Sequence, residues 1–430
     1  MWIGCCGLWI VFQFASNPQL THPYPQPTLS TIPKPQSTRK TNMKTIKYQE
    51  LRRRYQLDGA EKTVAHLSEA ITSGDLKADD FSIRDLAEGL IPDGHQWVRE
   101  LDPRSGRGLA VTEAFEGIDA TAFLNISGQI VYSKILEAYN QEAFAVSKMI
   151  STIPTRLDGE KLPGVASIAD SKSEIGPGMS YPNVGFGEDY IETPSTTKHG
   201  FIVPVTKEAI FFDRTHLVLS RAAEVGEVLA LNKEKRILDT VLGVKNTYKW
   251  MGQSYNTYYT AATDPWLNAK SGNALEDWGS VDVAENILAN ILDPNTKEPV
   301  LVEPNAVLVM PAKRYTAHRI FYASEYSNSS NDNYVMMAPN PFRHYHVVAS
   351  RLAYRRLISS GVTEAAAGNY WFLGNFAKAF AYMENWPITV THSAAGSEAD
   401  FNQDIIVRYK ASERGTPAVL NPRYVMKCTA

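Results

Sequence analysis

Two histidines flank a tyrosine in His344-Tyr345-His346. On an extended strand that spacing puts both imidazoles on one side, where neutral ring nitrogens could bind a metal. No third ligand stands at a recognisable spacing, so surface histidines are the expected role. Glu208, Asp213 and Glu224 flank a long helical segment and could do acid–base work as a carboxylate group. Carboxylates near a helix start are also favoured by the helix dipole, with no chemistry attached. Gly185-Phe186-Gly187 is too short to cradle a phosphate, and no G-x-x-x-x-G-K-S/T, G-x-G-x-x-G or G-x-S-x-G sequence occurs. Arg52-Arg53-Arg54 could meet phosphate, but Glu50, Asp58 and Glu61 neighbour it, as on a solvated helix face. Cys5, Cys6 and Cys428 make neither a disulfide framework nor a Cys/His zinc array. The expectation is a protein without catalytic residues, metal site or cofactor, and therefore not an enzyme.

Composition describes a folded chain without an extreme of charge. The 430 residues carry 43 Lys and Arg against 46 Asp and Glu, a formal charge of -3, so no global polycation advertises nucleic acid. Hydrophobic residues make up 44%, which excludes wholesale disorder. The 21 tyrosines and 16 phenylalanines suit broad amphipathic surfaces that pack while keeping a polar edge.

The elements expected to carry these residues are uneven along the chain. Residues 2–15 form an apolar run too short to span a membrane, and six prolines crowd into residues 18–35. A secretory or lipoprotein leader is one reading. The other, preferred here, places the start at Met43, with residues 1–42 a disordered Pro-rich preface. From residue 43 to 108 the chain is charged and helix-friendly, with narrow stripes at Tyr48, Leu51, Tyr55 and at Val64, Leu67, Ile71. A basic linker at 104–108 marks a boundary, so this segment is expected to be dispensable for the main body.

A helix over 119–138 follows, then residues 158–200, rich in Gly, Pro, Ser and Thr. So long a stretch inside a compact domain would be anomalous. A two-stranded ribbon reaching away from the body fits better, and such a ribbon needs a partner to lie on. A strand at 201–205 returns to the longest helical signal, 215–242, about 40 Å at 1.5 Å per residue. On it Val225 and Leu229 are expected to be buried, and Glu234 to be solvated. Residues 245–275 read as exposed loops or β-segments, and 281–292 as a helix. Strands are expected at 306–310, 347–348, 371–373, 376–382, 387–392 and 404–410, with a helix at 312–324 between them. Strands and helices mix without the beat of a parallel fold. This is an α+β chain.

That order of elements resembles the major capsid proteins of tailed phages, of the Hong Kong 97-type fold, with some resemblance to the Mu-type major head subunit. Residues 159–200 stand where that family has its extended E-loop, and 206–242 look like its spine helix and lead-in. Residues 306–320 look like a strand and helix of the axial domain. Residues 386–409, followed by 415–422, are similar to the closing strands of the peripheral domain. The resemblance covers residues 110–430 and divides the chain as follows. Residues 43–108 are a helical N-terminal arm or scaffold-like segment, and 109–157 lead into the peripheral domain. The E-loop-like arm is 158–200, the peripheral domain with its spine helix 201–280, the axial-like domain 281–385, and the closing strands 386–430.

What the resemblance implies is a non-enzymatic subunit that self-assembles, as pentamers and hexamers, into an icosahedral phage or prophage head around double-stranded DNA. It further implies a portal, a scaffold or maturation protease, non-specific contact with packaged DNA, no membrane, assembly in the host cytoplasm and residence in the virion. The alternatives are an encapsulin-like cellular nanocompartment shell and, resting on residues 2–15 alone, a secreted or surface structural protein.

Overall fold

Among the described residues, the charged segment that follows residue 43 holds four short helices: α1 (Tyr48–Asp58), α2 (Ala60–Thr72), α3 (Ile83–Leu90) and α4 (Gly94–Glu100). Gly59, at φ 82, makes the sharp turn between the first two. Ser82 caps α3 by accepting the Asp85 N–H. Then come α5 (Ile118–Tyr139), β1 (Ser151–Pro154), β2 (Lys161–Pro163), β3 (Tyr190–Glu192) and β4 (Thr197–Thr206). After α6 (Lys207–Phe211) runs the 27-residue α7 (Thr215–Val241), stopped by Gly243 at φ 71. The remainder is β5 (Lys249–Trp250), β6 (Gln253–Ser254), β7 (Ala269–Lys270), α8 (Trp278–Ala289), β8 (Ala306–Val309), α9 (Arg314–Phe321), β9 (Glu325–Ser329), β10 (Val335–Pro339), β11 (His346–Ala349), α10 (Arg351–Ser359), α11 (Glu364–Ala367), β12 (Trp371–Gly374), α12 (Phe376–Ala379), β13 (Phe380–Ser393), β14 (Ile405–Val419) and β15 (Val425–Cys428).

The computed structural model describes residues 48–91, 93–102, 118–141, 144–164, 175–179, 189–261, 263–293, 297–329, 335–393 and 404–430, all within the unit Met43–Ala430. The expectations for residues 1–42, for the linker at 104–108 and for Gly185-Phe186-Gly187 lie outside the described residues.

Two sheets carry the body. The first has the order β1-β13-β14-β4, with β14 antiparallel to both neighbours and β1 parallel to β13. The second has the order β11-β8-β12-β15-β7. On β8 the alternation is strict: Ala306 and Leu308 enter one core, and Val307 and Val309 enter the other. Both faces are thus covered, α10 lying on the first side and α8 and α9 on the second. The long helix ties the two sheets together. Its first half, through Val218, Ala222 and Leu229, joins the core that holds Tyr409 of β14. Its second half, through Ile237, Leu238 and Val241, joins the core that holds Leu308 and Phe372. The stripe drifts around the helix because the two halves face different partners. Leu229 is fully buried and Val225 half-buried.

Several expectations are corrected. Residues 43–108 are not an appendage where they are described. Leu86, Ala87 and Leu90 are 0% exposed in the same core as Val218, Leu219 and Leu229. Their narrow stripes suffice because α5, α6 and α7 supply the opposing surface. Glu234 is 2% exposed, not solvated: its carboxylate accepts the backbone N–H groups of Val146 (3.0 Å) and Ser147 (2.9 Å). Residues 376–379 form a helical turn, where a strand was expected, because Asn375 caps them by accepting the Lys378 N–H. In the Tyr-rich stretch, Tyr248, Thr257, Trp266 and Asn268 are buried, and the Trp266 ring lies 4.8 Å from the Arg423 guanidinium. The last strand, expected among the closing strands of the peripheral domain, pairs with β12 and β7 in the second sheet. The helix α10 was not anticipated.

Candidate functional site

None of the candidate chemical residues converge. His344 ends a 3₁₀ turn with its Nδ1 3.0 Å from the Pro341 carbonyl, while His346 opens β11; both are exposed. Asp213, at the bend before α7, accepts the hydroxyls of Ser82 and Thr215, each at 2.8 Å. Glu224 pairs with Arg221 one turn away on the same helix, and Glu208 is exposed on α6. Arg53 is exposed on α1, with Arg52 and Arg54 half-buried beside it. Cys428 is buried in the second sheet, where burial pushes its thiol up to about 12. Among the described residues no three His, Cys, Asp or Glu side chains could jointly hold a metal, and no helix is long and apolar enough to cross a membrane.

The molecule invests instead in its edges. In the first sheet β4 is an outer strand, hydrogen-bonded among the described residues only to β14, from Thr206↔Ile405 to Thr197↔Gly415. Inner positions Val203 and Val205 are buried, yet the adjacent Phe201 and Ile202 are 43% and 55% exposed. Neighbouring residues point to opposite faces of a strand, so this half of β4 runs beyond the cover of the helices. An exposed apolar edge is a template for a second chain.

The ribbon begins in the same neighbourhood. Its two legs, β2 and β3, pair antiparallel and continue through β5 and β6 as a small sheet. Its base is clasped. Asp158 accepts the Thr196 N–H at 2.7 Å and lies 3.4 Å from Arg414 of β14, and these bonds hold its carboxyl below the usual range. The ribbon is thereby anchored at its root, and Met179 beyond the root is 73% exposed.

Beneath these edges a polar knot joins α5, α7 and the first sheet. Arg236 of α7 meets the Glu413 carboxylate at 2.6 Å and donates to the Gly415 carbonyl at 3.1 Å. The other Glu413 oxygen accepts the Tyr139 hydroxyl at 2.7 Å. Lower on the helix, Asp239 receives a two-pronged bond from Arg356 of α10, both at 2.7 Å. These residues escaped the sequence reading. Partners 177 and 117 positions apart leave no local signature. The only available hint was charge on the buried half of the long helix, where the stripe drifts.

The arrangement offers association surfaces on a braced frame, and comparison with known proteins points the same way. The protein family described as "Phage capsid protein" matches residues 190–428, more than half of the chain. No curated protein matches it. Among solved structures, a virus-like particle from Pyrococcus furiosus is 12% identical with a TM-score of 0.38, covering 69% of this chain and 97% of that one. The Gordonia phage Cozz structure is 12% identical at 0.38, covering 66% and 85%. The SrpI encapsulin of Synechococcus elongatus is 12% identical at 0.38, covering 66% and 86%. Those overlaps are loose, and the family match alone carries weight.

Proposed function

Because the chain belongs to the phage capsid protein family and is a structural capsid protein, we propose that it tiles a closed icosahedral head around double-stranded DNA, as pentamers and hexamers. Each copy lays its ribbon and its apolar edge strand on neighbours. The observation that carries this reading is the exposure of Phe201 and Ile202 on an edge strand that leaves one side of its backbone ladder unpaired within the described residues. A lone subunit gains nothing from such an edge, whereas a repeated subunit covers it at every contact.

In this reading the subunit resides in the virion and is assembled in the host cytoplasm. A portal and a scaffold or maturation protease act beside it, packaged DNA touches it without sequence preference, and it performs no catalysis. The test is negative-stain microscopy with light scattering of the expressed chain at micromolar concentration. Closed shells or capsomers are the expected result. A monomer at every concentration overturns the proposal, and shells that fill with protein cargo and exclude DNA favour an encapsulin-like compartment.

A further inference from the structure

Among the described residues, buried side-chain donors without a hydrogen-bond partner gather around one cation. Arg423, in the turn before β15, is 1% exposed, and neither its Nε nor its Nη1 meets an acceptor. The Tyr248 hydroxyl lies beside the guanidinium and is likewise unpartnered. So is the hydroxyl of Thr257, a residue that is 0% exposed. The Asn268 amide donates to the Thr257 carbonyl at 2.9 Å and to the Pro422 carbonyl at 2.8 Å, which holds Thr257 against the same turn. Lys427, on β15 itself, differs in finding an acceptor, the Leu242 carbonyl at 3.3 Å.

Two rings face the Arg423 charge. The guanidinium carbon stands 4.8 Å from the Trp266 ring and 5.7 Å from the Trp250 ring. Ring faces attract a cation but leave most of its N–H groups unanswered, because a guanidinium donates in its own plane. Burial works most strongly against the charged form, while Tyr248, Asp293 and Asp189 support it. Both carboxylates act from beyond hydrogen-bond reach of Nε and Nη1. Native interiors rarely leave such donors unsatisfied, and a buried site with several polar partners is where internal water settles. A bound anion would be repelled by the same two carboxylates.

We infer that internal water bridges Arg423 to Asp189, making a buried hydrated joint that fixes where the ribbon leaves the body. Asp189 precedes β3 and Gly164 follows β2, so the two legs meet there. The Gly164 N–H donates to the Asp189 carbonyl at 2.9 Å, and the Trp250 indole N–H donates to the Asp189 carboxylate. The same Trp250 sets its ring beside Arg423, and it stands opposite Ile191 where β5 pairs with β3. Water between the carboxylate and the guanidinium completes a path from the ribbon to the turn before β15. It also gives Nε and Nη1 their missing acceptor. Arg423 is thus a positioning residue for the ribbon, a role that does not depend on the shell reading.

The test has two parts, both on the full chain. A structure at a resolution that shows ordered water should place density within hydrogen-bond distance of Arg423 Nε or Nη1, linked onward to Asp189. A dry cage or a direct pair with Asp293 overturns the inference. A bromide peak at the site after chloride is exchanged for bromide overturns it too, assigning the site to an anion. Hydrogen exchange reads the effect on the ribbon. Arg423→Met and Asp189→Asn should each speed exchange of the Gly164 and Met251 amides, which bond to the Asp189 and Tyr190 carbonyls, by about tenfold or more. The double variant should exchange no faster than the worse single one, because both changes remove the same bridge. Additive effects overturn the joint. So does acceleration spread equally over the amides of β8, which would make Arg423 a general core residue. If Arg423→Met does not fold, Asp189→Asn and the density decide. A wild type that forms no shells leaves every one of these readouts intact and counts only against the shell reading.

Discussion

A Cβ built on Gly226 of the long helix would stand 2.3 Å from the carbonyl oxygen of Ile135 on α5, and 3.1 Å from the Ala138 Cβ. The two helices therefore touch backbone to backbone, and the absent side chain is what lets them. Both are long, 22 and 27 residues, and the core that holds the N-terminal helices is built on their contact.

Gly226→Ala should destabilise the protein even though alanine is the better helix former by about 1 kcal/mol. Forcing atoms into a filled site costs about 1–3 kcal/mol, and contact with a rigid carbonyl puts this case at the upper end. Calorimetry should show a lower melting temperature for Gly226→Ala than for Glu227→Ala, an exposed neighbour on the same helix. An unchanged melting point would mean that the helices slide apart at little expense.

Leu229→Asp places a carboxylate in an apolar site that is 0% exposed, which should cost several kcal/mol and leave the chain insoluble. Glu234→Asp, which the charged sequence around it suggested would be silent, should instead be damaging. Shortening the side chain draws its oxygens away from the Val146 and Ser147 N–H groups, and stranding buried donors costs about 1–3 kcal/mol. Soluble yield and thermal melting of the two variants beside Glu224→Asp, on the exposed face, check both. If Glu234→Asp melts with Glu224→Asp, the clasp on residues 146 and 147 carries no weight.

The same carboxyl makes a pH prediction. Burial raises Glu234 above its ordinary 4.5, outweighing the Ser147 and Val146 N–H groups that favour the charged form. The folded state then binds the proton more tightly than the unfolded one. Its contribution to stability is therefore greatest below 4.5 and declines as pH climbs through 4.5 to the higher folded-state value. Glu234→Gln, neutral throughout, should lack that decline. Urea unfolding of both proteins across mildly acidic to neutral pH should show their stability difference changing in that window. Parallel pH profiles would remove Glu234 from the account.

The N-terminal helices make the last prediction. A protease cut near Arg104 or Arg107 should leave two fragments that stay together, since Leu86 and Leu90 are buried against the long helix's core. Ile83 adds a backbone N–H to the Thr215 hydroxyl at 2.8 Å. Separating the fragments in denaturant and refolding the larger one alone should yield aggregate, because Val218 and Leu219 then face water. A larger fragment that refolds and melts cooperatively would restore residues 43–108 to the role of a dispensable arm.

Periodicity within one element was legible in the amino-acid order. The long helix was read over 215–242 and runs Thr215–Val241; the second was read over 119–138 and runs Ile118–Tyr139. The apolar strand at Ala306–Val309 is buried on both faces as its composition implied. Those signals are local, because a helix or strand must show its own apolar pattern whatever covers it. Coverage is not local. The same charged letters that mark Glu224 as solvent-facing hid the burial of Glu234, ten residues on, because its partners are backbone amides at 146 and 147 and amides leave no trace in composition. The narrow stripes of the N-terminal helices likewise implied independence until α5, α6 and α7 closed over them. Which strand ends which sheet was decided the same way, with Val425–Cys428 crossing to β12 and β7. A pattern says that a face must be buried; only the packed chain chooses what buries it, since many apolar surfaces satisfy the hydrophobic effect equally and shape alone discriminates among them.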